Sequence, residues 1–241
     1  MLRTILWYSC GWSFLVITYP MLWLATYYKH IGKKDKNRIL VDRMTGRICR
    51  VLFYLTGSKI KITGLENVPE HGAVLFVSNH QGHADSLVIH GFINKPKGFV
   101  SVLEALKLPI INQWMEQMAC VFINREDARQ STLCFNKAVD YLINGHSMVV
   151  FPEGRLSDGE EANDFKKGWL KLATKSGVPI VPISMNGSYK VLAKNGSRVK
   201  ADTITCVISK PISINHLKKA DEAEFIQKLR DTILENIAST L

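Results

Sequence analysis

Four short apolar runs constrain this chain most: residues 73–77, 120–123, 147–151 and 179–184. Each is too short for a helix, and each breaks off into polar, charged or glycine-containing residues at His80, Arg125, Glu153 and Asn186. Runs of this length read as strands covered on both faces. Helix-period stretches separate them: 85–93, 104–118 with a break at Pro109, 127–144 ending at Gly145, and 165–175 ending at Gly177. Alternation of this kind predicts an α/β fold with a mainly parallel or mixed central sheet flanked by helices. Further expected elements are a helix over 38–56, strands over 58–63, 99–102 and 203–208, and a final helix opened at Asp221 by a capping box with Glu224. In such sheets ligands gather outside the carboxyl ends of the strands. The four breaks are therefore the place to look for chemistry. The order of the strands is not readable.

Residues 4–28 have a different character. They carry no charge and are rich in Trp, Tyr, Leu and Ile. Twenty-five residues at helical rise suffice to cross a hydrocarbon core of roughly 30 Å. Gly11 and Pro20 interrupt the stretch, so two forms compete: one spanning helix, or a broken pair lying in one leaflet. Lys29, Lys33, Lys34, Lys36 and Arg38 follow directly and place the rest of the chain on the cytoplasmic face. The expected division is a membrane anchor with basic linker over 1–37 and an α/β domain over 38–241.

The net charge of +10 suits an anionic surface or an acidic substrate. Without zinc-finger spacing or a basic block interleaved with aromatics, nucleic acid is not the expected partner. Five scattered cysteines, Cys10, Cys49, Cys120, Cys134 and Cys206, fit reduced thiols in the cytosol.

At the first strand end stands Asn79-His80-Gln81-Gly82-His83-Ala84-Asp85. An imidazole and a carboxylate are the parts of a general base and its orienter. On one continuous helix they would point about 140° apart. Contact therefore requires His80 to precede the helix and Asp85 to open it. Asp85 as a plain helix cap, and His80, His83 and Asp85 as metal ligands, are the competing readings. No Gly-x-Ser-x-Gly elbow supplies a nucleophile. Arg125 suits a phosphate or carboxylate, or else pairs with Glu126 or Asp127. Glu153-Gly154-Arg155 forms a glycine-containing loop open to an anion, and Lys166 and Lys167 follow on a face that also reads as merely solvated.

Residues 79–85 resemble the NHx4D signature of the glycerolipid acyltransferases. Residues 121–125 resemble that family's second block, 151–157 its FPEGTRS block, and 178–183 its fourth block. The likeness is to the short bacterial 1-acylglycerol-3-phosphate type. It implies acyl transfer from coenzyme A or acyl carrier protein to the hydroxyl of a lysophospholipid acceptor in a membrane, making phosphatidic acid. By that pattern His80 is the base and Asp85 its orienter. Arg125, Glu153, Gly154 and Arg155 bind the substrate, and no metal or tightly bound cofactor takes part. The hydroxyl missing from the protein is then the substrate's own. One departure stands out: Arg155-Leu156 replaces the usual Thr-Arg. It leaves open an altered phosphate contact or a different acceptor, such as glycerol-3-phosphate or lysophosphatidylethanolamine. A non-catalytic lipid-binding protein on the same fold is the alternative from another class.

Overall fold

The computed structural model describes residues 1–157, 159, 162–192 and 198–240. Seven strands form one sheet, in the order β1 (Lys59–Thr63), β7 (Thr203–Ile208), β6 (Ile180–Asn186), β2 (Leu75–Ser78), β5 (Ser147–Val150), β3 (Lys97–Val102), β4 (Val121–Ile123). All neighbours are parallel except β6 and β7. The fold is thus α/β with a mixed, mostly parallel sheet, as expected from the sequence. Central β2 and β5 are buried along their whole length, whereas edge strand β1 alternates between partly buried and exposed. Apolar runs belong in the middle of a covered sheet and alternating ones at its margin.

Helices cover both faces. On one face α6 (Ala128–Ile143), α7 (Leu170–Ser176) and α9 (Glu222–Ala238) bury Val139, Leu142, Leu172, Leu229 and Ile233 against Leu75, Val77 and Met148. On the other, α4 (Ala84–Phe92), α8 (Ser188–Val191) and Phe53 of α3 (Lys34–Leu55) close over Val74, Phe76, Val149 and Ile183. Successive strand residues point to opposite faces, so Leu75 and Phe76 serve different layers.

The amino-terminal stretch forms two helices, α1 (Leu2–Ile17) and α2 (Tyr19–His30), bent by 41° at Thr18. The cause is Pro20 in the first turn of α2, which lacks an N–H. Thr18 helps close the break by donating its hydroxyl to Leu15 O, and Trp114 of α5 (Ile111–Gln117) reaches the same hydroxyl at 3.3 Å. Gly11 does not interrupt α1; it stays helical and buried. Among the described residues no single helix is long and apolar enough to cross a membrane, but the bent pair passes by length and composition. Leu15, Leu22 and Ala25 pack on Val41, Ile48, Leu52 and Trp114, so the pair is fixed to the domain through α3 and α5.

Three further expectations need correction. Helix α3 opens at Lys34, a turn before its first apolar residue, with Asn37 donating to Ala25 O across the turn between α2 and α3. Residues 104–118 are not one broken helix but a 3₁₀ turn, Leu103–Lys107, followed by α5. The capping box at Asp221 does not form. A 3₁₀ turn over Lys219–Asp221 leaves that side chain without a cap hydrogen bond, and Glu224 pairs with Lys228 at 2.7 Å instead.

Candidate active site

Strands β2, β5 and β4 are mutually aligned through β3, so their carboxyl ends open on one side of the sheet. From the end of β2 the chain passes through residues 79–83 into α4. Asn79 holds this loop to the sheet: its Oδ1 accepts from Met185 N at 2.7 Å and its Nδ2 donates to Met185 O at 2.9 Å. The side chain thereby imitates a strand backbone and satisfies two buried polar groups of β6. Gln81 accepts from Gly187 N. Gly82 sits where a Cβ would meet Ser188 O at 3.1 Å and Leu192 O at 3.2 Å, so the loop needs glycine to lie against α8.

This path puts His80 before α4 and Asp85 in its first turn. His80 Nδ1 lies 2.9 Å from Asp85 Oδ2, which also accepts from Gly82 N at 2.9 Å. Asp85 is fully buried, while the His80 side chain keeps 18% of its surface exposed. The His80 ring stacks on Phe151, with centroids 3.8 Å apart and planes 13° apart. One ring nitrogen is therefore engaged and the ring plane fixed, leaving Nε2 for other work.

His80 is also held by its backbone. Its N–H donates to Glu153 Oε1 at 2.6 Å, and its carbonyl accepts from Ser157 N at 2.8 Å. Glu153 is buried, and its Oε2 accepts from Asn163 N at 2.8 Å and Asn163 Nδ2 at 2.9 Å. Burial pushes the Glu153 carboxyl above its ordinary value, while the hydrogen bonds from His80 and Asn163 pull it back. Gly154 has φ +68°, and a Cβ there would come 3.1 Å from Lys166 Nζ. The lysine amine thus lies over the turn that carries Glu153.

Beside His80 is a cavity of about 990 Å³. Leu15, Ile48, Leu52, Leu87, Trp114 and Met118 form an apolar part of its wall, and Arg125, Arg155 and Lys166 a cationic part. Of the residues predicted from sequence, His80, Arg125, Gly154 and Arg155 line it. Asp85 and Glu153 stand behind the wall, each in contact with His80. Arg125 is exposed and, among the described residues, forms no ion pair with Glu126 or Asp127; Asp127 caps α6 instead. The fourth strand end stands apart, with Asn186 Nδ2 donating to Thr240. His80, His83 and Asp85 are not arranged as a metal-binding group, nor is any other trio of His, Cys, Asp or Glu among the described residues. Phe151, Ser157 and Asn163 went unforeseen. Phe151 carried a signal, an aromatic at the end of a strand beside a catalytic candidate, whereas Asn163 carried none.

The Acyltransferase family model matches residues 59–186, which include His80, Asp85, Arg125, Glu153, Gly154 and Arg155 but none of α1, α2 or α3. The chain belongs to the acyltransferase family. It is accordingly an O-acyltransferase. It is 27% identical over 192 residues to the 1-acyl-sn-glycerol-3-phosphate acyltransferase of Borreliella burgdorferi, a match covering 79% of this chain and 77% of that protein. A chloroplastic 1-acyl-sn-glycerol-3-phosphate acyltransferase of Arabidopsis thaliana is 31% identical over 209 residues, covering 86% of this chain and 55% of that longer protein. The crystal structure of the 1-acyl-sn-glycerophosphate (LPA) acyltransferase PlsC of Thermotoga maritima shares the fold, with a TM-score of 0.80 at 23% identity over 99% of this chain and 95% of that one.

Proposed function

We propose that this acyltransferase moves an acyl group from a thioester, on coenzyme A or acyl carrier protein, to the free hydroxyl of 1-acyl-glycerol-3-phosphate, forming phosphatidic acid. The observation that carries the reading is the His80–Asp85 contact of 2.9 Å at the wall of a cavity that is apolar in one part and cationic in another. A lysophospholipid has that same division: an acyl chain for Leu15, Ile48, Leu52 and Trp114, and a phosphate for Arg125, Arg155 and Lys166. Its hydroxyl gives up a proton to His80 Nε2 as the oxygen attacks the thioester carbonyl. Asp85 holds the ring and stabilises the imidazolium. Collapse of the tetrahedral intermediate breaks the carbon–sulfur bond, and the proton on His80 passes to the departing thiolate. Glu153 contributes by fixing the His80 backbone rather than by touching substrate.

In this reading α1 and α2 are the membrane anchor, residues 1–37 including the basic linker, and residues 38–241 work at the cytoplasmic face. Supporting it are the outward-facing Ile5, Val16, Ile17 and Trp23 and the run of lysines that follows. Because Leu15 of α1 lines the cavity, the anchor also forms part of the substrate's path from the bilayer.

A second reading keeps the chemistry and changes the acceptor head group. It is favoured by Arg155 in the place usual for threonine, with its guanidinium donating to Asn163 Oδ1. A panel of lysophosphatidic acid, glycerol-3-phosphate and lysophosphatidylethanolamine, each tested with both donors, decides between them. Fastest turnover on lysophosphatidic acid is expected. The loss expected in His80→Ala is about 10²–10⁴-fold, the usual worth of a general base, and full activity in that variant would falsify the mechanism. Lipid binding without turnover on any acceptor would favour a non-catalytic role.

A further inference from the structure

Arg155 reaches the cavity wall, Glu153 grips the backbone of His80, and one side chain outside the four sequence blocks joins them. Asn163 Oδ1 accepts from Arg155 Nε at 3.2 Å and Nη2 at 2.9 Å. Its Nδ2 donates to Glu153 Oε2 at 2.9 Å, and its backbone N–H donates to the same oxygen at 2.8 Å. The other Glu153 oxygen receives the His80 N–H at 2.6 Å. Asn163 is itself anchored from α9, where Arg230 donates to Ala162 O at 3.0 Å and Asn163 O at 3.4 Å. The side chain does not line the cavity.

We infer that Asn163 is a positioning residue that ties the arginine facing the acceptor's phosphate to the carboxylate that fixes the catalytic base. The inference rests on the proposed function and extends it to a residue that touches neither substrate nor reacting atoms. An amide suits the post because it accepts on one side and donates on the other. Arg155 has only donors to offer and Glu153 only acceptors. Without the bridge, the arginine loses its orientation and Oε2 keeps one donor of two. The two halves of the amide thus serve two kinetic steps: Oδ1 holds the binding arginine, and Nδ2 holds the carboxylate behind His80.

Separating the halves tests this. The variants are Asn163→Ala, Asn163→Asp, Arg155→Ala and the double variant Asn163→Ala/Arg155→Ala. kcat and acceptor KM are measured with lysophosphatidic acid in mixed micelles, alongside thermal unfolding. Arg155→Ala raises acceptor KM about tenfold with little change in kcat, the worth of one hydrogen bond to a charged group. Asn163→Asp keeps an acceptor for Arg155 but sets a carboxylate against Glu153, so KM stays within about twofold while kcat falls roughly 10²-fold, as expected for a misplaced catalytic group. Asn163→Ala shows both defects, and removing Arg155 as well adds nothing further to KM.

Unchanged kinetics in Asn163→Ala, multiplying KM effects in the double variant, or a single proportionate loss in Asn163→Asp and Asn163→Ala would overturn the inference. If the alanine variant does not fold, the kcat–KM separation in Asn163→Asp still decides. Wild-type protein without turnover on lysophosphatidic acid overturns the functional reading itself. An active wild type with unaffected Asn163 variants overturns this inference alone.

Discussion

The amino-terminal helix pair and the strand-end site invert the usual arrangement of side chains in opposite ways. On α1 and α2, Leu2 is 72% exposed, Ile17 71% and Trp23 73%. At the strand ends, Asn79 and Asp85 are 0% exposed and Glu153 1%. Both inversions cost free energy in water, and the chain answers only one of them. The buried side chains at the site find most of their partners inside the fold: Asn79 at Met185, Asp85 Oδ2 at Gly82 and His80, Glu153 at His80 and Asn163, with only Asp85 Oδ1 and Gln81 Nε2 in the catalytic loop left without a hydrogen bond among the described residues. The outward apolar side chains have no such answer within the protein. The polar groups at the site are largely compensated within the fold, whereas the uncompensated apolar face is the part that the proposed membrane anchor would place in the bilayer.

The largest effect expected from disturbing the compensated side falls on rate. Asp85→Asn keeps an oxygen for Gly82 but no longer stabilises a charged imidazole. It should lower kcat on the order of 10³-fold with little change in the unfolding midpoint. Near-wild-type kcat at saturating acceptor would remove Asp85 from the catalytic pair. Next comes Asn79→Ala, where the effect falls on stability. It deletes two hydrogen bonds and leaves Met185 N–H and C=O buried without partners. The expected cost is about 2–4 kcal/mol in urea unfolding. A cost under about 1 kcal/mol would mean that the loop is held chiefly by Gln81 and the packing of Gly82.

Much of the site was legible because chemistry and local geometry coincide in one short segment. His80 and Asp85 lie five residues apart with Gly82 between them, and the strand end next to a helix start allows only a few paths. The central strands were legible because both their faces are covered. Strand order was not, since it depends on which crossovers pack best, and neither was the antiparallel pairing of β6 and β7. The cavity was invisible because its wall draws on α1, α3, α5 and three strand ends far apart in sequence. Asp221 misled because the Asp-x-x-Glu spacing is satisfied while the backbone is not: φ −96° and ψ −4° place it already in a helical turn. Asn163 had no signal at all. A single polar residue in a loop gains its meaning only from Arg155 and Glu153.

A smaller effect distinguishes the buried charge that the site does not use. Lys97 of β3 is buried and donates to Ile93 O and Lys95 O at the end of α4. Burial lowers its pKa from 10.5 to about 8, with Asp42 opposing the shift. The unfolded lysine stays protonated well above pH 8, so there the unfolded state binds more protons and stability rises with pH. Cys49, Cys120 and Cys206, pushed up to about 12 by burial, act the other way once unfolded thiols ionise near pH 9. The thiols are common to the wild type and Lys97→Met, so comparing the two proteins over pH 8 to 9 isolates the lysine. Over that range the wild type should gain about 1 kcal/mol relative to Lys97→Met. Parallel stability curves for the two proteins would show that Lys97 does not titrate there.

The smallest change in folding stability is expected at the uncompensated face, and that smallness is the point. Ile17→Ser and Trp23→Ser remove apolar surface that packs against little else in the protein. In detergent-free buffer or mild detergent the pair should shift unfolding by no more than about 0.5 kcal/mol each. Sedimentation with vesicles containing anionic lipid should show the opposite sensitivity. Each lost apolar side chain weakens partitioning by roughly 1.5–3 kcal/mol if it is fully buried in the bilayer. Transfer to a water-soluble short-chain acceptor should survive both substitutions, because neither residue touches His80 or lines the cavity. If the variants instead unfolded readily and still sedimented with vesicles, α1 and α2 would be ordinary packing helices. The contrast with the site would then be one of degree, not of medium.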